Sequence, residues 1–440
     1  MEGTRVGALA NIEEWAENPN STERVFWVKG SIGVGKSSIA YSAAQRAHEN
    51  GHLGASFFFS RYEPQLRDPR LLFPTIAFQL AEHNPALRRA ITSAITNDLD
   101  VSHREPKHQY DALIRRTISA IQHSEHPILF VFDGLDEFES TIASYSDTMC
   151  LFITDLSRLS SNVRILATSR PEPYIERIVR SVPPGYLKFI DLDKDTETKK
   201  DIVTFLRSGL SEIPTKLGRR LQLGANGCWF SEKQLNRLSW KAGRSFVYAT
   251  TALRFIGDTV VGDPCTQLDM LLNTSPPSDG PESELDALYL LALQRAYPHN
   301  TSDNALKTLN SLLAVICIPP VAPIDGYGPR ALIPLSYFAE CGPDYAKACL
   351  LHLQSIICFH EDNFDDRFFV DEQMHGTRIA HLCIDVLTVI YADIDDTIAA
   401  RCSFQPASFD LSCFSCNQTL LLAGYQFARF RPFLLSAVFC

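Results

Sequence analysis

The sequence predicts an α/β fold in which a mainly parallel sheet lies between layers of helices, followed by helical domains. Three observations favour this fold. Short apolar runs typical of buried strands alternate with helical patterns as far as Leu192. A glycine-rich loop joins the first of these strands to a long helical pattern. Beyond Leu192 the patterns are almost wholly helical. The sequence therefore predicts a three-layer α/β domain with all-α parts after it.

The glycine-rich loop spans residues 30–37 and has the form G-x-x-x-x-G-K-S, the pattern of a phosphate-binding P-loop. An apolar run at 25–28 precedes it, and a helical pattern free of glycine and proline follows at 37–48. Glycines allow the tight turn in which successive N–H groups face phosphate oxygens. A chance glycine-rich turn is the alternative, and the flanking strand and helix argue against it. The predicted nucleotide-binding residues are Gly30, Ser31, Ile32, Gly33, Val34, Gly35, Lys36, Ser37 and Ser38.

Two side chains of this loop carry the predicted chemistry. Lys36 would place a positive charge against the β- and γ-phosphates, and Ser37 would place its hydroxyl on Mg²⁺. The helix that begins at Lys36 would present the positive end of its dipole to the same anion. The predicted ligand is therefore ATP or ADP with Mg²⁺.

A second motif follows about 100 residues later, where an apolar strand at 127–132 runs into three acidic residues. Asp133 is predicted to hold the Mg²⁺ shell, and Asp136 or Glu137 to orient or deprotonate the attacking water. A strand that ends in a solvated acidic turn is the alternative. The P-loop upstream favours the catalytic interpretation.

A third buried strand is predicted at 163–169, and Arg170 follows it. The carboxyl ends of strands in such a sheet face the nucleotide crevice. Arg170 is therefore predicted to sense the γ-phosphate, with Thr168 and Ser169 as supporting hydrogen-bonding groups. An arginine that covers the domain surface is the alternative.

The remaining elements follow from periodicity and boundary residues. Further strands are predicted at 54–61 and 186–192, with a small one at 368–370, and a Pro/Ser/Gly-rich linker at 275–281. Helices are predicted at 6–17, 71–82, 85–97, 108–122, 144–159, 196–213, 232–258, 267–273, 282–297, 306–317, 344–358 and 372–391.

Composition excludes several classes of protein. The formal charge of −10 and the lack of a long basic run argue against a dedicated nucleic-acid surface. No stretch has about 18 consecutive apolar residues, and the amino terminus lacks the apolar core of a signal peptide, so we expect a soluble cytoplasmic protein without a membrane span. The twelve cysteines are mostly scattered through helical patterns, which indicates buried thiols. Cys413-x-x-Cys416 has the spacing of half a zinc site, but no second pair follows.

Taken together, the P-loop, Phe-Phe-Phe-Ser-Arg at 57–61, Phe-Asp-Gly-Leu-Asp-Glu at 132–137 and Thr-Ser-Arg-Pro at 168–171 resemble the NACHT-type signal-transduction (STAND) ATPases, in particular the fungal NOD-like receptor proteins. The resemblance extends from about residue 3 to residue 390. It implies a resting state that holds ADP, exchange for ATP, oligomerisation and slow hydrolysis.

The resemblance also implies a domain plan, with three departures. The predicted parts are a linker helix at 1–22, a nucleotide-binding domain at 23–192, a helical domain at 193–274, an incomplete winged-helix-like domain at 282–393 and an irregular tail at 394–440. The chain shows no effector domain or repeats, its tail does not match, and the family's ADP-contacting histidine motif is missing before Phe368. That histidine's role is therefore not assigned to His360.

The sequence thus predicts an ATP/ADP-binding regulatory switch with slow or latent hydrolysis, in signalling of the fungal innate-immunity or heterokaryon type. Protein partners or self-oligomers on activation are implied. Two alternatives stay open. One is a scaffold that retains nucleotide without switching. The other is a P-loop kinase of a small molecule, which the additional helical domains and the lack of an arginine-rich lid after the P-loop disfavour.

Overall fold

The computed structural model divides the chain into two compact units, Met1–Gly209 with Ser239–Ala249, and Leu210–Leu238 with Thr250–Cys440. It describes residues 3–60, 66, 68–118, 127–137, 143–160, 162–217, 229–258, 260, 262–276 and 283–297, together with 302, 305, 308 and 353. Arg61, His360, Cys413, Cys416 and the tail lie outside these residues, as do the predicted elements between 306 and 391 apart from residues 308 and 353. The predicted domain boundaries stay predictions.

A five-stranded parallel sheet forms the centre of the first unit. Its hydrogen-bonded order is β2-β3-β4-β1-β5. β3 and β4 are buried along their whole length, which explains their continuous apolar sequences. The predicted parallel sheet is confirmed. The strands are β1 (Val25–Lys29), β2 (Leu53–Phe58), β3 (Ile128–Asp133), β4 (Val163–Ser169) and β5 (Leu187–Asp191).

Helices connect the strands and continue after β5. We label as α5 a short helix at Pro106–Gln109 together with the π-helical turn Tyr110–Arg115 and the helical residues Arg116–Ile118 that follow it. The other helices are α1 (Val6–Glu17), α2 (Lys36–Glu49), α3 (Pro69–His83), α4 (Pro85–Asn97), α6 (Ala143–Leu159), α7 (Pro173–Ser181), α8 (Glu197–Leu217), α9 (Glu232–Ala242), α10 (Phe246–Gly257), α11 (Pro264–Asn273) and α12 (Ser283–Ala296).

Two apolar cores lie on opposite faces of the sheet. Side chains of β1 alternate between them, with Val25 and Trp27 in one core and Phe26 and Val28 in the other. Helices α3 to α7 bury apolar residues in the first core, and α1 and α2 do so in the second. Helix, sheet and helix therefore form the three layers that the sequence predicts.

The continuous helix predicted at 232–258 is wrong, because α9 and α10 are separate helices. Gly243 has a φ of +58°, a conformation that ends α9. The Ser245 hydroxyl then accepts a hydrogen bond from the Tyr248 N–H at 3.1 Å, which caps the start of α10. A glycine followed two residues later by a serine is a sequence signal for such a break. Its consequence is that the first residues of α10 can contact the P-loop.

No helix in the described ranges is long and apolar enough to span a membrane.

Candidate nucleotide-binding site

The sheet order brings the predicted motifs to one edge. Parallel strands have their carboxyl ends on the same side, and β4 lies between β1 and β3. The loop after β1, the acidic residues after β3 and the Thr168–Arg170 stretch after β4 therefore meet at this edge. The described residues of the first unit thus have a P-loop NTPase fold.

The nine predicted nucleotide-binding residues occupy the connection between β1 and the first turn of α2. Gly30 and Val34 are buried. The three serines, Ser31, Ser37 and Ser38, are exposed. The loop therefore exposes its serines while the Val34 side chain packs inward.

Glycine is required at several loop positions. Gly33 and Gly35 have φ angles of +73° and +89°, which side-chain-bearing residues rarely adopt. A Cβ on Gly33 would lie 2.8 Å from Cγ2 of Val247, and one on Gly30 would lie 2.8 Å from Cγ2 of Val34. Both backbone conformation and close packing therefore explain the motif.

The Lys36 side chain folds back onto the main chain at the start of its own loop. Its Nζ donates hydrogen bonds to the carbonyl oxygens of Gly30 and Ser31 at 2.9 and 2.8 Å. Burial lowers the pKa of Lys36, and the carboxylates of Asp136 and Asp133 oppose that shift. The ammonium group is therefore held between the loop and the acidic residues after β3.

Asp133 lies buried at the end of β3. Its carboxylate accepts a hydrogen bond from the Thr168 hydroxyl, whose oxygen accepts the Gly134 N–H at 3.1 Å. Burial raises the pKa of Asp133, whereas hydrogen bonds from Thr168 and Ser37 and the charge of Lys36 lower it. The two predicted metal-binding residues, Ser37 and Asp133, are therefore neighbours.

This pair fits Mg²⁺, which prefers hard oxygen ligands and keeps several waters or phosphate oxygens in its shell. Hydroxyl and carboxylate oxygens from Ser37 and Asp133 supply such ligands. Among the described residues, no group of three or more His, Cys, Asp or Glu side chains could hold a metal ion. A site that relies on the nucleotide for its remaining ligands is consistent with that finding.

Arg170 and Asp136 form an ion pair at the same edge. Asp136 accepts hydrogen bonds from the Arg170 backbone N–H at 3.0 Å and pairs with its Nε at 3.1 Å. The Asp136 side chain is 3% exposed and that of Arg170 23%. Glu137 is more distant, with 4.0 Å between its Oε1 and an Arg170 Nη. Arg170 therefore points into the site and contacts the predicted catalytic acids.

We expect this pair to be energetically coupled. Arg170→Ala and Asp136→Ala should each destabilise the fold by roughly 2–4 kcal/mol, because each leaves a poorly solvated charge without its partner. The double variant should recover about 1–2 kcal/mol of the summed loss. Chemical denaturation of the two single variants and the double variant measures this coupling.

The pair between Arg177 and Asp147 is a matched control, since its 2.8 Å contact lies at the surface with side chains 60% and 72% exposed. Its coupling should not exceed about 0.5 kcal/mol. Additive losses at Arg170 and Asp136 would contradict the prediction.

Three contacts with the P-loop escaped the sequence analysis. The Asp193 carboxylate accepts the Ser31 N–H at 2.9 Å and the Ser31 hydroxyl at 2.8 Å. The Phe246 N–H donates to the Gly33 carbonyl at 2.8 Å. Arg5 donates to the Val34 carbonyl at 2.6 Å. The loop is therefore held by the chain after β5, by the start of α10 and by the turn before α1.

One of these three contacts had a usable sequence signal. Asp193 comes directly after β5, so its place at the carboxyl edge follows from the strand pattern. Arg5 donates from its side chain and Phe246 from its backbone N–H, and both bind main-chain carbonyls of the loop, for which residue type gives no motif.

One family model, described as Nephrocystin 3, N-terminal, matches residues 6–170. No curated protein sequence matches the chain significantly. The matched region covers all residues from α1 to Arg170, which includes the P-loop and the acidic motif.

Three solved structures are similar to the chain at low identity. The replication initiator DnaA bound to AMPPCP and single-stranded DNA is 12% identical, with 90% of this chain and 96% of that chain covered and a TM-score of 0.36. AMPPCP-bound DnaA from Aquifex aeolicus is 11% identical, with 88% and 96% covered and a TM-score of 0.34. Drosophila ORC bound to poly(dA/dT) DNA and Cdc6 is 12% identical, with 88% and 64% covered and a TM-score of 0.25.

Proposed function

We propose that this protein binds ADP or ATP with Mg²⁺ at the P-loop and acts as a NACHT-type regulatory switch with slow hydrolysis. The observation that carries the proposal is the meeting of three motifs at one sheet edge: the loop after β1, Asp133 after β3 and Arg170 after β4. The Nephrocystin 3 N-terminal match over residues 6–170 supports a nucleotide-binding region of this type.

Each residue then has a role that its chemistry suits. Backbone N–H groups of residues 33–38 and the Lys36 ammonium bind the phosphates. Ser37 and Asp133 bind Mg²⁺, which would supply charge neutralisation for the phosphates. Asp136 or Glu137 orients the attacking water.

Arg170 suggests why hydrolysis is slow and why nucleotide state matters. Its guanidinium pairs with Asp136, so a γ-phosphate that recruits Arg170 would compete with that carboxylate. The pair must open before Arg170 can stabilise phosphate charge and Asp136 can accept a water. We infer that ATP, unlike ADP, shifts Arg170 away from Asp136.

The regulatory role is best tested on the full chain by identifying the nucleotide that co-purifies with it and following its exchange. We expect bound ADP that excess ATP replaces slowly, and a larger assembly with a non-hydrolysable ATP analogue than with ADP, as measured by light scattering. The partners that we propose are second copies of the chain or effector proteins of fungal immune-type signalling. They would bind this protein only in its ATP state.

Two outcomes would favour the alternatives. ADP that never exchanges, with the same mass in both nucleotides, would indicate a scaffold that retains nucleotide. Transfer of phosphate to an added small acceptor, with little free phosphate, would indicate a kinase.

A further inference from the structure

The turn before α1 contains an arginine in an unusual conformation. Arg5 has a φ of +58° and a ψ of 20°, and it is the only non-glycine residue with positive φ in the described part of the chain. Such a left-handed conformation costs free energy unless surrounding contacts hold it. The Arg5 side chain is also 6% exposed, which is rare for arginine.

Contacts on several sides hold the Arg5 side chain. One terminal nitrogen, Nη1, donates to the Thr198 hydroxyl at 2.7 Å and lies 3.4 Å from an Asp195 oxygen. The guanidinium carbon is 5.1 Å from the centre of the Phe246 ring. The second terminal nitrogen of Arg5, Nη2, donates to the Val34 carbonyl at 2.6 Å. Arg5 thus joins the start of α1 to the P-loop and to the first residues of α8 and α10.

The contact with Val34 determines a peptide orientation. In a trans peptide the C=O and N–H groups point in opposite directions. The Val34 carbonyl and the Gly35 N–H belong to the same peptide unit. Because Arg5 holds that carbonyl on its own side, the Gly35 N–H of the same peptide must point the other way, away from Arg5. Phosphate binding requires loop N–H groups that are turned away from such surrounding contacts and into the loop.

The neighbouring peptide is held in the same manner by a different group. The Phe246 N–H donates to the Gly33 carbonyl, so the Val34 N–H of the same peptide points away from Phe246. Phe246 also provides the ring that Arg5 covers. Arg5 and Phe246 together therefore determine the direction of two consecutive loop N–H groups, those of Val34 and Gly35.

We propose that Arg5 is a positioning residue of the nucleotide site, which aims the Gly35 N–H at the phosphates and couples α1 to nucleotide binding. This inference rests on the proposed nucleotide binding at the P-loop. Coupling between two sites is reciprocal. Nucleotide that fixes the Gly35 peptide also strengthens the bond from Arg5, so nucleotide binding stabilises α1 on the domain.

The charge of Arg5 suits this role. Burial lowers the pKa of Arg5, and the carboxylates of Asp201 and Asp195 oppose the shift. A charged donor forms a stronger hydrogen bond to a carbonyl than a neutral donor does. Its loss corresponds to roughly a tenfold or greater loss of affinity if the loop then relaxes.

The test combines affinity with hydrogen exchange in the full chain, using ADP with Mg²⁺. In the wild type, ADP should slow amide exchange at residues 6–17. Arg5→Ala should bind ADP at least about tenfold more weakly and lose this ADP-dependent protection. Arg5→Lys, which retains a charged donor with fewer N–H groups, should recover part of both.

Arg46→Ala is the matched control. Arg46 lies in the last turn of α2, at the end of the helix away from the loop. It joins α2 to α1 through a 3.0 Å contact with Glu13 and is about half exposed. This variant should keep wild-type ADP affinity and keep the ADP-dependent protection of α1. Comparison of Arg46→Ala with Arg5→Ala therefore distinguishes the effect of losing a contact with α1 from the effect of losing the positioning of the loop.

Wild-type affinity together with wild-type protection in Arg5→Ala would overturn the proposal. If Arg5→Ala fails to fold, Arg5→Lys decides in its place, and wild-type affinity and protection in that variant would overturn it. Failure of the wild-type protein to bind ADP would instead refute the proposed function, whatever the Arg5 variants do.

Discussion

Lys36→Ala is expected to weaken ADP binding by at least about 100-fold, which corresponds to about 2.7 kcal/mol. Lys36 is the loop's only cation, and it is held between the carbonyls of Gly30 and Ser31 and the acidic residues after β3. Phosphate would replace hydrogen bonds to neutral carbonyls with stronger charge-assisted ones. Isothermal titration with ADP and Mg²⁺ measures the loss.

The fold should tolerate the same substitution. Burial of the Lys36 ammonium is unfavourable, as its lowered pKa indicates, so the nucleotide-free variant should unfold at nearly the wild-type temperature. Lys194→Ala is the control. Lys194 is 83% exposed and follows Asp193 in sequence, so its replacement removes the same charge from the edge of the site. This variant should bind ADP like the wild type. Equal affinity in Lys36→Ala would show that nucleotide, if bound at all, binds elsewhere.

The sheet and the main site were predictable because local patterns determine them. β3 and β4 are buried on both faces and therefore have uninterrupted apolar sequences. Parallel strands place their carboxyl ends at one edge, so residues after separate strands must meet. Asp133 and Arg170 could be placed at one edge from strand patterns alone. Their hydrogen-bond partners could not, since these depend on side-chain rotamers.

The contacts that Arg5 and Phe246 make with the P-loop could not be predicted, for a different reason. Arg5 is 29 positions from Val34. Arg5 recognises a main-chain carbonyl, which every residue type offers. The resemblance to NACHT proteins included residues 243–256 without indicating that Phe246 contacts Gly33. Only the path of the chain in space brings these groups together.

Arg170 illustrates a prediction that the geometry makes more specific. The sequence predicts a phosphate sensor, with an exposed surface arginine as the alternative. The structure pairs Arg170 with Asp136 through both main chain and side chain. A sensor that is bonded to a predicted catalytic acid can regulate that acid as well as detect phosphate. Under the proposed function, the pair of Arg170 with Asp136 would supply a physical cause for slow hydrolysis.

Asp133→Asn is expected to make the nucleotide-free protein more stable while it removes the metal-dependent part of nucleotide binding. Burial raises the pKa of Asp133 in the folded state, so its ionised form costs stability above the ordinary carboxyl pKa. Asparagine keeps an oxygen for the Thr168 hydroxyl and carries no charge. At pH 7 we expect a gain of about 1 kcal/mol or more and a rise in Tm of a few degrees.

The pH dependence of this gain has a definite sign. Because the folded pKa lies above the unfolded one, the cost of Asp133 is complete above the folded pKa and disappears as pH falls below the unfolded value of about 3.9. The stability difference between variant and wild type should therefore shrink toward acid pH. In the same variant Mg²⁺ should no longer tighten nucleotide binding, and any hydrolysis should fall by about 100-fold.

Asp191→Asn gives the opposite result if this explanation is right. Asp191 ends β5 at the same sheet edge, but it pairs with Lys29 at 3.4 Å and with Lys194 at 3.6 Å. Loss of its charge should therefore lower stability slightly, by at most about 1 kcal/mol, and leave the effect of Mg²⁺ intact. If Asp133→Asn were destabilising at neutral pH and still bound nucleotide more tightly with Mg²⁺, Asp133 would be a structural acid. The metal ligand would then have to be sought among the other acidic residues after β3.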